Sequence, residues 1–264
     1  MRQDMKRIAG VITRRDVVAA ERIVELDGLT AYLRPDIPDV WDANWLEVDR
    51  PGLPVERIVA AGDETIGAAG MRHRTLLTLD QADGERLVAE LEPRGWKAER
   101  NVYMAHRRPP DRPGSADVEE VGQDEIESSR REFLRDELEE FFGAGKVTPA
   151  IIDQFLGFDR IYGEIAGDRW FVAREDRRVV SFCRLFSGEG TGQVEDVATL
   201  PAARNRGLAR SVVLAAVEAS RAAGHDLTFL GALTDDWPRK LYKRLGFDEV
   251  GPEIVLYRKP DSAR

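Results

Sequence analysis

The residues of this chain best suited to binding a charged ligand lie in a short turn of arginines and a glycine. The turn reads Arg204-Asn-Arg-Gly-Leu-Ala209, and Arg210 follows it. Backbone N–H groups at a helix N-terminus carry about half a positive charge and suit a phosphate. The side chains of Arg204, Arg206 and Arg210 add fixed positive charge nearby. If a helix begins here, the spacing predicts an anion site.

The segments on both sides of the turn indicate a strand before it and a helix after it. Gln193–Leu200 mixes β-branched and acidic residues in near alternation. Gly224 lies just beyond the last residue of the helical pattern, where a C-cap is expected. Apolar or small residues recur with helical spacing at 208, 212, 215, 216, 219 and 223.

Two familiar phosphate motifs are excluded, but a turn that binds nothing is not. No Lys-Ser or Lys-Thr pair follows Gly207, as a P-loop requires, and the three-glycine dinucleotide fingerprint is absent. Gly188, Gly190 and Gly192 lie between two strand-like runs, which is typical of a hairpin turn. Many α/β proteins connect strand to helix through a glycine-containing turn without binding a ligand there.

The first 106 residues show weaker helical and strand patterns. Val17, Val18, Ala20, Ile23 and Val24 suggest a first helix that Gly28 ends, and Trp41 and Trp45 are spaced to share one helical face in a core. Further patterns predict a strand at 29–34, a helix at 55–61, a strand at 75–79, a helix at 82–93 and a strand at 101–106.

A proline-rich segment divides the chain and precedes a second set of elements. Arg107–Ser115 contains three prolines and almost no apolar side chain, which is typical of a linker. We therefore predict one domain at 1–108, a linker at 109–116 and a second domain at 117–264. The pattern after the linker is β-α-α-β-β-β-α-β-α-β, a mixed sheet with helices on its faces.

The two predicted domains look like copies of one unit. Gly95-Trp96 and Gly246-Phe247 are separated by 246 − 95 = 151 residues, and the same offset places Leu76 on Leu227. It also places Leu53–Ile58 opposite the arginine turn, without the glycine. The repeat therefore predicts a single anion site, in the second copy.

Composition describes a globular protein and argues against several partners. The 264 residues are 42% hydrophobic and 33% charged, and the net charge is 39 − 48 = −9, which disfavours a nucleic-acid or anionic-membrane binder. Cys183 has no partner for an intrachain disulfide. The three histidines lack metal-ligand spacing, so no metal is expected. Without a signal peptide or membrane span, a cytoplasmic protein is the default expectation.

Two motifs together resemble the GNAT superfamily of acetyl-CoA-dependent N-acetyltransferases. Arg204–Ala209 is similar to the family signature of Gln or Arg, two residues, Gly, one residue, then Gly or Ala. Leu241-Tyr-Lys-Arg-Leu-Gly-Phe247 looks like the second motif, a Leu-Tyr pair followed by Gly-Phe. The resemblance covers residues 117–258. It implies an α/β fold of two GNAT-like domains in tandem, each a mixed, largely antiparallel sheet flanked by helices, with a degenerate first copy.

The resemblance implies acetyl-CoA as co-substrate, without a metal. Backbone groups of β-strand residues 197 and 199 would hold the pantetheine arm, in a splay between that strand and the strand at 227–230. The amides from Asn205 to Arg210 would hold the pyrophosphate. Asp235 and Pro238 stand where many members have Asn and Ala, which puts the usual asparagine contact in doubt. The implied cofactor-binding residues are Val197, Ala198, Thr199, Arg204, Asn205, Arg206, Gly207, Leu208, Ala209, Arg210 and Asp235.

The resemblance also implies an acid and a base. Tyr242, at the position of the family tyrosine, would protonate the leaving thiolate, unless it is only a core phenol. An alkylammonium acceptor must lose a proton at a cost of roughly 4 kcal/mol at pH 7, so a base or a water wire is needed. Glu195 or Asp196 could serve; adjacent strand residues face opposite ways, and Glu195 is preferred.

Three functional hypotheses follow. The leading one is an enzyme, an N-acetyltransferase in which a primary amine, on a small molecule or a peptide, attacks acetyl-CoA directly in a ternary complex. The alternatives are a non-catalytic acyl-CoA sensor and a purely structural protein. The acceptor cannot be read from the sequence, and a homodimer is left open.

Overall fold

The computed structural model describes residues 3–260, so the ends of the predicted domain ranges, 1–2 and 261–264, lie outside the described residues. The helices span Gln3–Ala19 (α1), Val55–Gly62 (α2), Gln81–Leu91 (α3), Gln123–Phe142 (α4), Pro149–Ala166 (α5), Leu208–Ala222 (α6) and Trp237–Arg244 (α7). The strands span Arg22–Leu26 (β1), Leu29–Leu33 (β2), Trp45–Val48 (β3), Arg74–Thr78 (β4), Lys97–His106 (β5), Glu119–Val121 (β6), Arg169–Glu175 (β7), Arg178–Gly188 (β8), Thr191–Thr199 (β9), Leu227–Leu233 (β10) and Phe247–Arg258 (β11).

The start of the chain differs from the sequence prediction. The first helix ends at Ala19, and Ile23 and Val24 belong to β1, which pairs with β2. Gly28 makes the hairpin turn between these strands with φ of 81°, a conformation that glycine adopts without a steric penalty. Short apolar runs are ambiguous between helix and strand, and here pairing with β2 decides.

The two tryptophans do not share a helical face, so that prediction was wrong. Trp41 lies in a short 3-10 turn, and Trp45 begins β3. Both are buried as core residues: Trp41 stacks on His73 with ring centroids 4.6 Å apart, and Trp45 stacks on Tyr32 at 4.7 Å.

The described strands form one continuous mixed sheet in the order β1-β2-β3-β4-β11-β5-β10-β9-β8-β7-β6. The predicted mixed α/β fold is confirmed. The last strands of the two halves change places, because β11 lies between β4 and β5, and β5 lies between β11 and β10. Each half therefore completes the sheet of the other. The boundary at 109–116 stays a prediction.

The order β-β-β-α-β-α-β occurs twice along the chain. It runs from β1 to β5 and again from β7 to β11. Each run contains a parallel pair in its middle: β3 with β4, and β9 with β10. In each pair the first strand leads through a helix to the second, which is the connection that parallel neighbours need.

Among residues 3–260, every helix is too short or too polar to cross a membrane.

Candidate functional site

The arginine turn, Arg204–Ala209, carries a series of backbone amides at the start of α6 that are unpartnered among residues 3–260. Asn205 and Gly207 both adopt left-handed backbone conformations, with φ of 63° and 82°. This geometry turns the chain into the helix at Leu208. Within the described chain, no backbone or side-chain oxygen accepts a hydrogen bond from the amides of Asn205 to Arg210. Free amides at the start of a 15-residue helix are suited to an anion.

The arginines of the turn have different partners. Arg204 donates from Nε to the carbonyl of Thr199 at 3.2 Å, and Arg206 donates from Nη1 to Glu175 at 3.1 Å. Both side chains are largely exposed, so water and ions can reach them. An incoming phosphate could draw either side chain toward it at small cost, because exposed contacts of this kind contribute little.

Arg210 holds the linker. Its side chain is 4% exposed, and Nη1 donates to Asp111 at 2.6 Å and to the carbonyl of Arg112 at 3.0 Å. The next residue, Ser211, accepts hydrogen bonds at Oγ from the amides of Ser115 and Ala116. The predicted contribution of Arg210 to the anion field therefore rests on its backbone amide, since its side chain is engaged by residues 111–116.

The predicted splay is present between β9 and β10. These strands pair only at Thr191–Gln193 with Leu227–Phe229 and then separate. Ala198 and Thr199 pair with β8 on one side, Val197 lies at a shift in that register, and all three residues are left without a strand neighbour on the β10 side. After β9 the chain passes through a short 3-10 turn, Pro201–Ala203, into the arginine turn with its free amides.

A β-bulge interrupts β9 beside the splay. The register with β8 shifts between Phe182 and Arg184, and Asp196 has φ of 50°. The bulge breaks the expected alternation, so Glu195 and Asp196 both lie on the face covered by α1, α4 and α5. Val197 then returns to the α6 face, where it packs on the core. The expectation that these two adjacent residues face opposite ways was therefore wrong.

Asp196 belongs to a buried network of two arginines and two aspartates. It pairs with Arg130 of α4 at 3.1 Å and with Arg184 of β8 at 2.5 Å. Both arginines also contact Asp159 of α5, at 2.9 and 3.1 Å. Burial alone would raise the pKa of Asp196, but the two guanidiniums outweigh it and hold the pKa below its ordinary value. Asp196 is therefore an ionised structural group.

Glu195 has a different environment. Gln193 Nε2 donates to its Oε1 at 2.6 Å. Burial raises the pKa of Glu195 to about 7, and repulsion from Asp196 and Glu253 adds to the effect, while the bond from Gln193 and the charge of Arg184 oppose it. A carboxyl group with a pKa near neutrality can accept a proton in one step and release it in the next. Of the two neighbours, Glu195 has the protonation behaviour of a base.

Tyr242 lies on α7 and is 6% exposed. Its ring meets Phe247 edge to face, with centroids 6.2 Å apart. Burial raises the pKa of Tyr242 above its ordinary value, and the negative charge of Glu195 acts in the same direction. The phenol therefore stays protonated at neutral pH and can serve as a proton donor. Tyr242 packs in the core cluster that α6 covers, on the other side of the sheet from Glu195.

Asp235 lies in the loop before α7 and is exposed. The N-cap of α7 is its neighbour Asp236, whose Oδ1 accepts from the amide of Trp237 at 2.6 Å. A cofactor contact by Asp235 stays a prediction. Among residues 3–260, no group of three or more His, Cys, Asp or Glu residues could hold a metal ion.

Several site residues could not be recognised from the sequence. Arg15, Arg130 and Asp159 are 181, 66 and 37 residues away from Asp196 of the bulge along the chain, and no local pattern links them to it. Asp196 carried one usable signal, since aspartate is several-fold enriched among non-glycine residues with positive φ. Gln193 carried none.

Comparison with known proteins finds a family match within the second half of the chain. Residues 166–249 match the family model described as an acetyltransferase (GNAT) domain, and this range contains the bulge, the arginine turn and Tyr242. This stretch of the chain is similar to a GNAT acetyltransferase domain. No curated protein matches the sequence.

Several solved structures share this fold over nearly the whole chain. A GCN5-related N-acetyltransferase from Kribbella flavida is 22% identical with a TM-score of 0.65, covering 96% of this chain and 94% of its own. A conserved protein of unknown function from Staphylococcus epidermidis is 13% identical with a TM-score of 0.67, covering 92% and 95%. A tandem GNAT protein from the clavulanic acid biosynthesis pathway is 13% identical with a TM-score of 0.57, covering 95% and 89%. Both halves of the GNAT-like sheet thus occur together in other proteins.

Proposed function

We propose that this protein is an N-acetyltransferase that moves an acetyl group from acetyl-CoA to a primary amine within a ternary complex. The observation that carries the proposal is the occurrence, in one strand-to-helix connection, of the unpaired edge of β9 and the free amides of Asn205 to Arg210. A pantetheine arm adds hydrogen bonds to an unpaired strand edge, and a pyrophosphate needs a positive helix N-terminus. β9 supplies the unpaired strand edge, and the start of α6 supplies the helix N-terminus.

The proposed acetyl-CoA site gives roles to the predicted residues of β9 and of the arginine turn. Val197, Ala198 and Thr199 would offer backbone groups to the pantetheine arm. The amides of the arginine turn would bind the pyrophosphate, with Arg204 and Arg206 supplying mobile positive charge. Because Leu53–Ile58 lacks the glycine of the turn, one acetyl-CoA per chain is expected. Isothermal titration with acetyl-CoA measures this stoichiometry, and two sites would contradict the proposal.

The transfer step needs one base and one acid. Glu195 would take a proton from the acceptor ammonium, and the freed amine would attack the thioester carbonyl. As the tetrahedral intermediate collapses, the C–S bond breaks and Tyr242 would give its proton to the thiolate, while the second proton that the attacking nitrogen must lose would restore the phenol of Tyr242 through water. The amide product carries the acetyl group, and CoA leaves as the thiol.

An amine acceptor agrees with a group of carboxylates beneath α1. Asp16, Glu47 and Glu253 line a cavity of about 30 Å³ between α1 and the sheet. Burial raises the pKa of Asp16 and of Glu47 to about 7 each. A positively charged acceptor nearby would be attracted to these groups and would favour their ionised forms.

The proposal is tested by thiol release from acetyl-CoA with a panel of primary amines. Acetyl transfer to at least one amine, with a large loss of turnover in Tyr242→Phe, is expected. The competing function is an acyl-CoA sensor, which the free amides of the arginine turn alone would also fit. Tight acetyl-CoA binding without transfer to any amine in a broad panel would favour the sensor.

A further inference from the structure

A chain of polar contacts connects α1, in the first half of the protein, to Glu195. Arg15 donates from Nη1 to Gln193 Oε1 at 2.6 Å, and Gln193 Nε2 donates to Glu195 Oε1 at 2.6 Å. Arg15 is 5% exposed and Gln193 is 7% exposed. We propose that Arg15 and Gln193 are positioning residues for Glu195, through which the first half of the chain controls the base of the acyl-transfer site.

The chemistry of the two contacts fixes the direction of the amide. A glutamine side chain has an acceptor end and a donor end, and a guanidinium can only donate. Arg15 therefore takes the oxygen of Gln193, which leaves the amide nitrogen facing Glu195. An N–H donor favours the ionised form of a carboxylate. Arg15 acts on Glu195 mainly by preventing the amide from turning round.

Arg15 is itself held in place. Its guanidinium lies over the ring of Phe186, 5.4 Å from the centroid, and Arg184 lies 4.3 Å from the same centroid. Phe186 is the direct neighbour of Gln193 across the β8–β9 ladder. A buried guanidinium restrained by a ring and an amide has few alternative positions, so the orientation of Gln193 is well defined.

Several other groups share the electrostatic environment of Glu195, and each must be kept in any test of its pKa. Asp196 and Glu253 raise the pKa of Glu195, and Arg184 lowers it. Burial lowers the pKa of Arg15, and the charge of Glu195 opposes this lowering. Burial raises the pKa of three tyrosines on three other elements, and the charge of Glu195 acts in the same direction. The facing groups are Asp196 on β9, Arg184 on β8, Arg15 on α1, Glu253 on β11, Tyr103 on β5, Tyr162 on α5 and Tyr242 on α7.

The inference rests on the proposed function for its meaning, but its test does not require activity. Protein labelled with ¹³C at the glutamate side-chain carboxyl is titrated by NMR, and the Glu195 resonance is assigned by its loss in Glu195→Gln. Gln193→Met removes both hydrogen bonds at nearly constant volume. We expect it to raise the pKa of Glu195 by about half a unit or more, because the ionised form loses its donor.

Variants on α1 separate positioning from simple packing. Arg15→Met should raise the pKa of Glu195, as Gln193→Met does. Arg15→Lys should give a pKa between those of Arg15→Met and wild type. The matched control is Arg14→Met, because Arg14 is the adjacent residue and pairs with exposed Glu189 at the β8–β9 turn. That variant should leave the pKa of Glu195 unchanged. If Arg15→Met does not fold, Gln193→Met and Arg15→Lys carry the test.

Kinetics then relate the positioning to the reaction. In Gln193→Met the acid limb of the kcat/KM profile should move to higher pH by the same amount, with the KM for acetyl-CoA unchanged. An identical pKa of Glu195 in wild type and Gln193→Met would overturn the inference. If wild type transfers acetyl to no amine, the proposed function fails, while the titration still decides whether Arg15 and Gln193 set the protonation of Glu195.

Discussion

Glu195 and Asp196 are neighbours with opposite chemistry, and the difference comes from their partners. Two buried guanidiniums keep Asp196 ionised, whereas Glu195 receives one neutral amide donor and faces two further carboxylates. Environments that push the pKa values of paired carboxylates apart are a recurring way to separate a structural group from a reactive one. The bulge makes this possible because it turns both residues to one face.

The first prediction concerns the base. Glu195→Gln should lower kcat/KM by about 10²–10⁴-fold, the usual contribution of a general base. In wild type, the rate should fall as the pH drops through about 7, because protonated Glu195 cannot accept the proton of the acceptor. The variant should lose this acid limb. Thiol release measured between pH 5.5 and 9 checks both; an unchanged limb in Glu195→Gln would assign it to another group.

The second prediction concerns the network around Asp196. Arg130→Met leaves Asp159 and Asp196 with less compensation in the interior, so the free energy of unfolding should fall by about 3–5 kcal/mol. Arg131→Met is the matched control, since Arg131 is the next residue of α4 and its pair with Asp153 is solvent-exposed. Its loss should cost less than about 1 kcal/mol. Urea unfolding measures both, and equal losses would contradict a special role for the network.

At the scale of elements, the start of α6 depends on two residues with left-handed backbone conformations, Asn205 and Gly207, within the six-residue arginine turn. Gly207 lies next to the linker: a Cβ added there would be 3.0 Å from Ser115 Oγ. Gly224, just past the other end of α6, has φ of 80°, and a Cβ added there would meet nothing within 4 Å. The two glycines thus share a backbone conformation, but only Gly207 has another residue close to the position of an added Cβ.

The third prediction compares these glycines. Both Gly207→Ala and Gly224→Ala should lose stability, by about 1–3 kcal/mol, because alanine is strained at positive φ. Gly207→Ala should in addition weaken acetyl-CoA binding by about tenfold or more, a loss of about 1.4 kcal/mol, since the turn that presents the amides is crowded. Isothermal titration of both variants decides this. Equal affinities for acetyl-CoA would show that the geometry at Gly207 is not part of the site.

The elements that the sequence predicted correctly are those that local chemistry defines. Gly207 precedes the start of α6, Gly246 follows the end of α7, and both helices form near the predicted bounds. The features that were missed depend on partners distant in sequence. β1 becomes a strand because β2 pairs with it, and the bulge at Asp196 is held by Arg130, 66 residues away along the chain. No local pattern around Ile23 or Asp196 contains that information.

At the scale of the whole molecule, the exchange of terminal strands joins the two halves. β5 supplies the neighbour of both β10 and β11, so a fragment starting at 117 would leave β10 without the strand on its other side. The linker is not free either, because Arg210 and Ser211 hold residues 111–116 against α6. Arg15 and Gln193 add a polar connection between the halves. These contacts predict one cooperative unit, although the chain contains two copies of one element order.

The last prediction tests that cooperativity with the ligand. Acetyl-CoA should contact only the second half, yet at 100 times its dissociation constant it should stabilise the native state by about 2.7 kcal/mol. If the interleaved sheet unfolds as one unit, calorimetry should show a single transition that moves as a whole to higher temperature. Hydrogen exchange should show increased protection in β2 and β4 as well as in β8 and β9. Two calorimetric transitions, of which acetyl-CoA shifts only one, would mean that the halves unfold independently despite their exchanged strands.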